Sequence, residues 1–191
     1  MTSRVTWISH AETPALRRAA FPLDETLEAA TLDKLTLLRW NAPKAQQILS
    51  APEQRAQMTA RRLNLAASVA EDLRDCDFGC WRGREFLEVH RDDPDGIASW
   101  LTDPAAAPHG GESIAALVDR VARWLTQHSA EGHTIAVTHP AIIRGAIIFA
   151  LDAPLQSFWR VDISPASVTD LRFNGSAWTI RSLGERLECA C

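Results

Sequence analysis

The 191-residue chain has no apolar run of the roughly 18 residues that a membrane-spanning helix requires. It also lacks a basic excess, because 20 lysines and arginines stand against 24 aspartates and glutamates, for a net charge of -4. Nucleic-acid surfaces are usually basic, so this charge argues against DNA or RNA as a partner. The N-terminus turns polar between Trp7 and Thr13, before the apolar stretch of a signal peptide can form. We therefore predict a cytoplasmic protein that binds neither nucleic acid nor membrane; no pattern indicates its oligomeric state.

Cysteine is scarce as well. The four cysteines are Cys76, Cys80, Cys189 and Cys191, and no histidine stands at zinc-finger spacing from either pair. Reduced structural or surface thiols are therefore the favoured interpretation, with a metal site as the alternative. We predict a protein with no bound metal and no cofactor.

The length suits one domain, and we predict a single domain over residues 1–191. Strands are predicted at 5–9, 46–49, 133–138, 158–163, 167–173 and 177–183. Helices are predicted at 28–40, 52–73, 114–128 with Ser113 as N-cap, and 140–151. Residues 11–24 and 92–111 are predicted to be loops, with a short helical piece at 97–101. Asn174-Gly175 predicts a hairpin. The alternation indicates an α/β sandwich with a mainly parallel sheet and an antiparallel element near the C-terminus.

Two of the predicted strands end on histidines, His10 and His139, and Arg55 lies in the first turn after a third strand. Ligands of open parallel sheets bind beyond the carboxyl ends of the strands, so these three side chains should meet at one edge. A single histidine in such a place is more often a structural residue. Two imidazoles, a guanidinium and the N-termini of helices together fit a phosphate better than a metal ion.

Five motifs follow one another along the chain: SHAET (9–13), SAPEQRAQMTA (50–60), LRDCDFGCWRG (73–83), PHGGES (108–113) and VTHPAIIRG (137–145). Together they resemble the histidine phosphatase superfamily, also called the phosphoglycerate mutase-like family. Its motifs read RHGET, SSPxxRAxQTA, LxExxFGxWEG, PxGES and VTHGxxIR. The resemblance covers nearly the whole chain and implies a three-layer α/β/α sandwich around a mixed, mostly parallel sheet.

The resemblance implies a role for each matching residue. His10 is the expected nucleophile, which forms a phosphohistidine, because neutral imidazole is available near pH 7. Arg55 is expected to bind the phosphoryl oxygens, and His139 to donate to them as charge develops. The motif glutamate that protonates the leaving group is Asp75 in this chain, and Asp77 is the second candidate for that role.

Four further residues are candidate contacts to the substrate. Glu112 and Ser113 belong to the GGES segment, where a simple helix cap is an equally good interpretation. Arg17 and Arg18 lie where related phosphatases keep substrate-binding loop arginines, although solvated loop charges are slightly favoured.

The chain departs from the family at the residue before the nucleophile, where Ser9 replaces an arginine that grips the phosphoryl group. The pocket has thereby lost one permanent charge, and three outcomes follow. Arg144, Arg18 or Arg17 compensates, the enzyme is slow, or the chain is a binding protein derived from an enzyme. We favour compensation, because the other catalytic positions are intact.

The expected function is therefore hydrolysis of a small phosphomonoester through a phosphohistidine on His10. Mutase activity is less favoured, because mutases of the family are usually longer. The alternative is a pseudoenzyme that binds a phosphorylated metabolite or a protein partner. No motif names the substrate.

Overall fold

A computed structural model describes residues 2–38, 40–130 and 132–187. Over these residues the strands are β1 (Ser3–Ser9), β2 (Gln47–Ser50), β3 (Ser68–Val69), β4 (His133–Thr138), β5 (Ser167–Phe173) and β6 (Trp178–Arg186). The α-helices are α1 (Pro14–Arg17), α2 (Ala29–Thr36), α3 (Gln54–Arg62), α4 (Phe86–Asp92), α5 (Pro94–Thr102), α6 (Ile114–Gln127) and α7 (Pro140–Ala150). Short 3-10 helices cover Glu71–Leu73, Gly79–Trp81, His128–Ala130 and Leu155–Arg160.

The six strands form one sheet in the order β3-β2-β4-β1-β5-β6. The first four of these are parallel, and β5 and β6 are antiparallel to their neighbours. The two strands at the centre, β4 and β1, are buried along almost their whole length, as expected for strands covered on both faces. The predicted α/β/α sandwich with a mixed, mostly parallel sheet is confirmed.

Aromatic packing and a helix cap fix α6 against the sheet. Trp7 of β1 contacts Trp124 of α6, with ring centroids 5.1 Å apart. The helix begins at Ile114 because the Ser113 hydroxyl accepts a hydrogen bond of 3.1 Å from the backbone N–H of Ala116. The predicted cap is confirmed, and the antiparallel end of the sheet also agrees with the sequence. There, the N–H of Asn174 donates to the Ala177 carbonyl in the predicted hairpin.

The single helix predicted for residues 52–73 is wrong. Helix α3 ends at Arg62, and Asn64 takes a left-handed conformation with φ of 56°, which asparagine tolerates better than most residues. The chain then turns back to form β3, where Val69 pairs with Ser50 of β2. The apolar spacing continued past the turn, and it was therefore a poor guide to where the helix stops.

Three other segments also differ from prediction. The strand predicted at 158–163 is wrong, because residues Leu155–Arg160 form a 3-10 helix that buries Phe158. The loop predicted at 11–24 contains α1, and the short helical piece predicted at 97–101 is confirmed but belongs to the longer helix α5, which α4 directly precedes. The side chain of Asp93 caps α5 by accepting from the Gly96 N–H at 2.9 Å. Short capped helices of this kind are easily missed when loops are assigned from proline and glycine content.

Two glycines allow the third and fourth motifs to lie backbone against backbone. A Cβ atom on Gly79, whose φ is 48°, would stand 2.0 Å from the carbonyl oxygen of His109. A Cβ atom on Gly111 would stand 2.0 Å from the carbonyl oxygen of Asp77. That Asp77 carbonyl accepts a hydrogen bond of 2.8 Å from the Glu112 N–H. Any side chain at either glycine would separate the two segments.

The cysteines and the helices are relevant to the predictions about metal and membrane binding. Cys76 is buried and Cys80 is exposed, and both are free; Cys189 and Cys191 lie outside the described residues. Within residues 2–38, 40–130 and 132–187, no group of three histidine, cysteine or acidic side chains could hold a metal ion. No helix in the same ranges has both the length and the apolar character needed to cross a membrane.

Candidate active site

Three parallel strands end side by side at the carboxyl edge of the sheet. Ser9 of β1 pairs with Thr138 of β4, so the next residues, His10 and His139, stand next to each other. Their ring centroids are 5.2 Å apart. Strand β2 ends on the other side of β4, and α3, which carries Arg55, follows it. The structure therefore brings both histidines and the arginine to one edge.

A pocket of about 150 Å³ opens at this edge. Its ionisable lining residues are His10, Glu25, Arg55, Asp75 and Arg144. Apolar side chains, among them those of Leu16, Phe78 and Ala141, complete the wall. The volume suits a group of about the size of a phosphate, and the two guanidinium groups supply positive charge.

The ring of His10 is held in one tautomer. Its Nδ1 donates to the backbone carbonyl of Ala11 at 2.7 Å, because a carbonyl oxygen can only accept. In the neutral ring, Nε2 then carries the lone pair. Burial, together with the smaller effects of His139 and Arg55, lowers the pKa of His10 from 6.5 to about 3. His10 is therefore an unprotonated nitrogen nucleophile at neutral pH.

Arg55 is buried and fixed from two sides. One terminal nitrogen donates to the Leu23 carbonyl at 2.7 Å, and the other donates to Asp75 Oδ2 at 2.7 Å. A carboxylate oxygen of Glu25 lies 3.9 Å away. The Nε atom is buried and has no hydrogen-bond partner among the described residues. A guanidinium held in this way keeps one directed donor for an anion.

Of the two candidate proton donors, Asp75 lines the pocket. Its Oδ1 accepts from the Cys76 N–H at 2.9 Å, while Oδ2 accepts from Arg55. Burial raises the pKa of Asp75, but the electrostatic effects of His139 and Arg55 outweigh it and the pKa is lowered. The second candidate, Asp77, is exposed, accepts from the Gly79 N–H and does not line this pocket.

His139 is fully buried between two carboxylates. Its Nε2 donates to Glu53 Oε2 at 2.7 Å. Its Nδ1 lies 3.4 Å from Asp75 Oδ2, without the geometry of a hydrogen bond. Burial raises the pKa of Glu53, yet the bond from His139 outweighs this effect and the pKa is lowered. His139 therefore stands next to His10 without itself lining the pocket.

Ser9 offers no replacement for the family's arginine. The residue is fully buried, and its hydroxyl has no hydrogen-bond partner in the described part of the chain. Arg144 lines the pocket instead, and its Nε donates to the Val161 carbonyl at 2.7 Å. Burial lowers the pKa of Arg144, which is opposed by the neighbouring acids Asp162 and Asp75. Arg144 nonetheless remains cationic at neutral pH.

Arg17 and Arg18 lie outside the pocket lining. Arg17 binds Glu12 at 3.2 Å and also forms an ion pair with Glu28. Arg18 lies 3.6 Å from Glu85, and the side chains of both arginines are exposed. Of the three arginines considered as replacements for the missing charge, Arg144 is the one that the structure places at the pocket.

Glu112 and Ser113 also lie outside the pocket lining. Both carboxylate oxygens of Glu112 accept from the Arg120 guanidinium, at 2.9 and 2.7 Å. Arg120 in turn donates to the carbonyls of Asp72 and Arg74. Ser113 caps α6, as described above. In this structure the two residues therefore hold the α6 N-terminus against the segment that leads to Asp75.

Two acidic residues of the site, Glu25 and Glu53, were not predicted. Glu53 occupies a variable position of the second motif, but it follows the end of β2 closely, and the rule that placed Arg55 could have indicated it. Both carboxylate oxygens of Glu25 are buried without a hydrogen-bond partner among the described residues. Glu25 lies in the loop before α2, and no pattern in the sequence signals its approach to Arg55.

Known proteins share much of this sequence and fold. A bifunctional protein of Mycobacterium tuberculosis is 35% identical over 133 residues, which are 66% of this chain and 36% of that protein. The adenosylcobalamin/alpha-ribazole phosphatase of Salmonella typhimurium is 29% identical over 132 residues, 65% of this chain and 64% of that protein. A mutant phosphoserine phosphatase from Entamoeba histolytica shares the fold with a TM-score of 0.84 at 19% identity, covering 95% of this chain and 96% of its own.

The chain thus spans about a third of the length of the first curated relatives that it matches. The Salmonella relative is named as a phosphatase, which gives the pseudoenzyme alternative no support. The family model of the histidine phosphatase superfamily (branch 1) matches residues 17–186, so the match begins after His10 and Ser9. Because it covers most of the chain, and the fold and the order of motifs agree with it, the chain belongs to the histidine phosphatase superfamily, branch 1.

Proposed function

We propose that the protein hydrolyses a phosphomonoester through a phosphohistidine on His10. The observation that carries this proposal is the bond from His10 Nδ1 to the Ala11 carbonyl, which leaves Nε2 as a lone-pair nitrogen in a pocket with two guanidinium groups. Membership of the family and the named phosphatase relatives support the same activity. The proposal covers residues 1–191 as one catalytic domain.

The reaction proceeds in two displacements. In the first, Nε2 of His10 forms a bond to phosphorus while the bond from phosphorus to the leaving oxygen breaks, and that oxygen takes a proton from Asp75. In the second, a water molecule gives a proton to Asp75, its oxygen bonds to phosphorus, and the bond between nitrogen and phosphorus breaks. The products are the alcohol and inorganic phosphate, and His10 is restored.

Asp75 must be protonated for the first step, although its partners keep it ionised in the resting protein. A phosphate dianion that enters the pocket competes with Asp75 for the Arg55 guanidinium. It also places a like charge close to the carboxylate, which favours the protonated form. Substrate binding therefore favours the protonated Asp75 that the first step requires.

Charge on the phosphoryl oxygens is balanced by three groups. Arg55 contributes its free Nε donor, and Arg144 takes the place of the arginine that Ser9 replaces. His139 contributes as the imidazolium: Nε2 donates to Glu53, which holds the ring next to His10, and Nδ1, which has no hydrogen-bond partner among the described residues, is left as the donor for a phosphoryl oxygen. The substrate is a small phosphorylated metabolite, no metal takes part, and a cytoplasmic location remains a prediction.

The test uses chelator-treated protein and 4-nitrophenyl phosphate. We expect hydrolysis by the wild type, none by His10→Ala, and unchanged hydrolysis by His90→Ala, which removes an exposed histidine outside the pocket. A quench during turnover should trap an acid-labile, alkali-stable phosphoryl group on His10. Undiminished hydrolysis by His10→Ala contradicts the proposal, and so does a wild type inactive on every phosphomonoester tested.

A further inference from the structure

An apolar cavity of about 420 Å³ adjoins the active-site pocket. Six aromatic side chains line it: Phe21, Phe78, Phe86, Trp100, Phe158 and Trp159. The rings of Trp100 and Trp159 are in direct contact, with centroids 4.4 Å apart, so this part of the wall is firmly packed. Leu16 and Leu101, which are 44% and 41% exposed, also line the cavity, and it is therefore open to solvent.

The cavity lies directly beside the pocket that contains His10. Residues that line both spaces are Leu16, Ala20, Pro22, Phe78, Ala141 and Arg144. A molecule with its phosphoryl group at His10 therefore has the cavity within the reach of its leaving group. Arg144 faces both spaces, and its guanidinium carbon lies 5.8 Å and 5.9 Å from the rings of Phe158 and Trp159.

The side chains of the cavity offer few polar partners. Apart from Arg144, the polar groups of its lining side chains are the thiol of Cys76 and the indole N–H groups of Trp100 and Trp159. Burial raises the pKa of the Cys76 thiol, so it stays neutral and is a weak hydrogen-bond donor. A sugar or an amino acid placed here would lose its water and gain few partners, which is unfavourable, whereas an apolar group gains from leaving water.

We propose that this cavity holds the leaving group of the substrate, and that the protein is selective for phosphomonoesters of apolar or aromatic alcohols. The inference rests on the proposed phosphatase function, because it assigns the leaving-group side of the same site. Arg144 serves both halves of such a substrate: it reaches the phosphoryl oxygens on one side and packs against an aromatic ring on the other.

A homologous series of alkyl phosphates tests the proposal. The leaving groups from ethyl to hexyl phosphate are primary alcohols of nearly equal acidity, so differences in kcat/KM report binding of the chain. We expect kcat/KM to rise about fourfold for each buried methylene until the cavity is filled. Leu101→Asp places a carboxylate at the cavity rim, away from the phosphate pocket, and it should flatten the series. Leu183→Asp changes an exposed leucine of β6 and should keep the wild-type slope.

Binding of the matching alkylphosphonates, measured by tryptophan fluorescence, separates the cavity assignment from the proposed phosphatase function. Affinity that rises with chain length without hydrolysis of any phosphate would support the cavity assignment and contradict the proposed function. Hydrolysis of ethyl phosphate with a flat series, both in turnover and in phosphonate affinity, would overturn the assignment and leave the proposed function intact. If kcat/KM still rose with chain length as steeply in Leu101→Asp as in the wild type, the alkyl chain would bind elsewhere and the assignment would be wrong.

Discussion

Glu53 and His139 are joined by a hydrogen bond of 2.7 Å between Oε2 and Nε2, and the backbone N–H of Asp75 donates to the other oxygen of Glu53 at 2.9 Å. One carboxylate therefore fixes both the ring next to the nucleophile and the backbone of the proposed acid. This makes Glu53 a positioning residue, because it acts on the reaction through its neighbours.

Glu53→Gln should lower kcat about 10- to 100-fold with a small change in KM, as for a lost partner that orients a functional histidine. The amide keeps the size of the side chain but loses the charge that pairs with His139. Steady-state kinetics on 4-nitrophenyl phosphate measure the effect, and Glu71→Gln, an exposed acid, is the control. A wild-type kcat in Glu53→Gln would show that the bond has no catalytic role.

Asp75→Asn should slow hydrolysis of alkyl phosphates far more than that of aryl phosphates. A poor leaving group needs a proton in the transition state, and general acid catalysis contributes on the order of 10² to 10⁴ in rate. A nitrophenolate leaves with little help from an acid. The fall in the rate of aryl phosphate hydrolysis should therefore reflect only the weaker hold of the amide on Arg55. The ratio of the two rates in Asp75→Asn and in Asp77→Asn measures the effect. Equal losses on both substrates, or a larger effect at Asp77, would move the acid away from Asp75.

Arg144→Ala should weaken inorganic phosphate binding and lower turnover about 10²- to 10³-fold, as for the loss of one donor to the transition-state oxygens. Arg17→Ala and Arg18→Ala remove exposed loop arginines and should stay near the wild-type rate. Phosphate affinity and 4-nitrophenyl phosphate turnover in the three variants identify the compensating cation. An unaffected Arg144→Ala protein would exclude this arginine as the substitute.

Ser9→Arg should lower activity and weaken phosphate binding. Ser9 is fully buried, so the larger side chain needs space that the structure lacks, and it would compete with Arg144 at the pocket. Thermal unfolding with and without phosphate separates loss of folding from loss of binding. Tighter phosphate binding and faster turnover in Ser9→Arg would instead mean that the natural pocket is short of charge.

The free energy of unfolding should fall as the pH drops from 6.5 towards 3. In the folded protein the pKa of His10 is lowered to about 3, whereas in the unfolded chain it keeps its ordinary value. Between these values the unfolded chain binds a proton that the folded protein does not bind, which destabilises the folded state by about 1.4 kcal/mol per pH unit. Urea unfolding of the wild type and of His10→Gln, compared between pH 5 and 6, measures the difference in slope. Parallel slopes would show that His10 titrates normally in the folded state.

The motifs and most of the sheet could be predicted from the sequence because each depends on local patterns. The runs that form β1 and β4 are rich in apolar residues at their centres, as expected for buried parallel strands, and the histidines follow them directly. The end of α3 could not be predicted, since Leu63 and Ala67 continue an apparently helical spacing while the backbone turns at Asn64. The strand prediction for residues 158–163 was wrong because aromatic residues favour strands in general, whereas here Phe158 is buried by a 3-10 helix.

The contacts of the site were less predictable than its members. Glu25 reaches Arg55 from a loop 30 residues away, and Glu53 was hidden at a position that the family leaves variable. Arg17 and Arg18 find partners in Glu28 and Glu85, and these pairings depend on how distant loops pack. The apolar cavity collects side chains from segments spread over more than a hundred residues, and no spacing rule connects them.

The close approach of Gly79 and Gly111 limits how this phosphatase fold can be redesigned. The two segments share backbone hydrogen bonds and leave no room for a Cβ atom, so a loop exchanged into either place must keep glycine at that position. A graft over residues 75–81 or 108–113 that keeps Gly79 or Gly111 should fold. A graft that places a larger residue there should separate the two backbones and give insoluble protein.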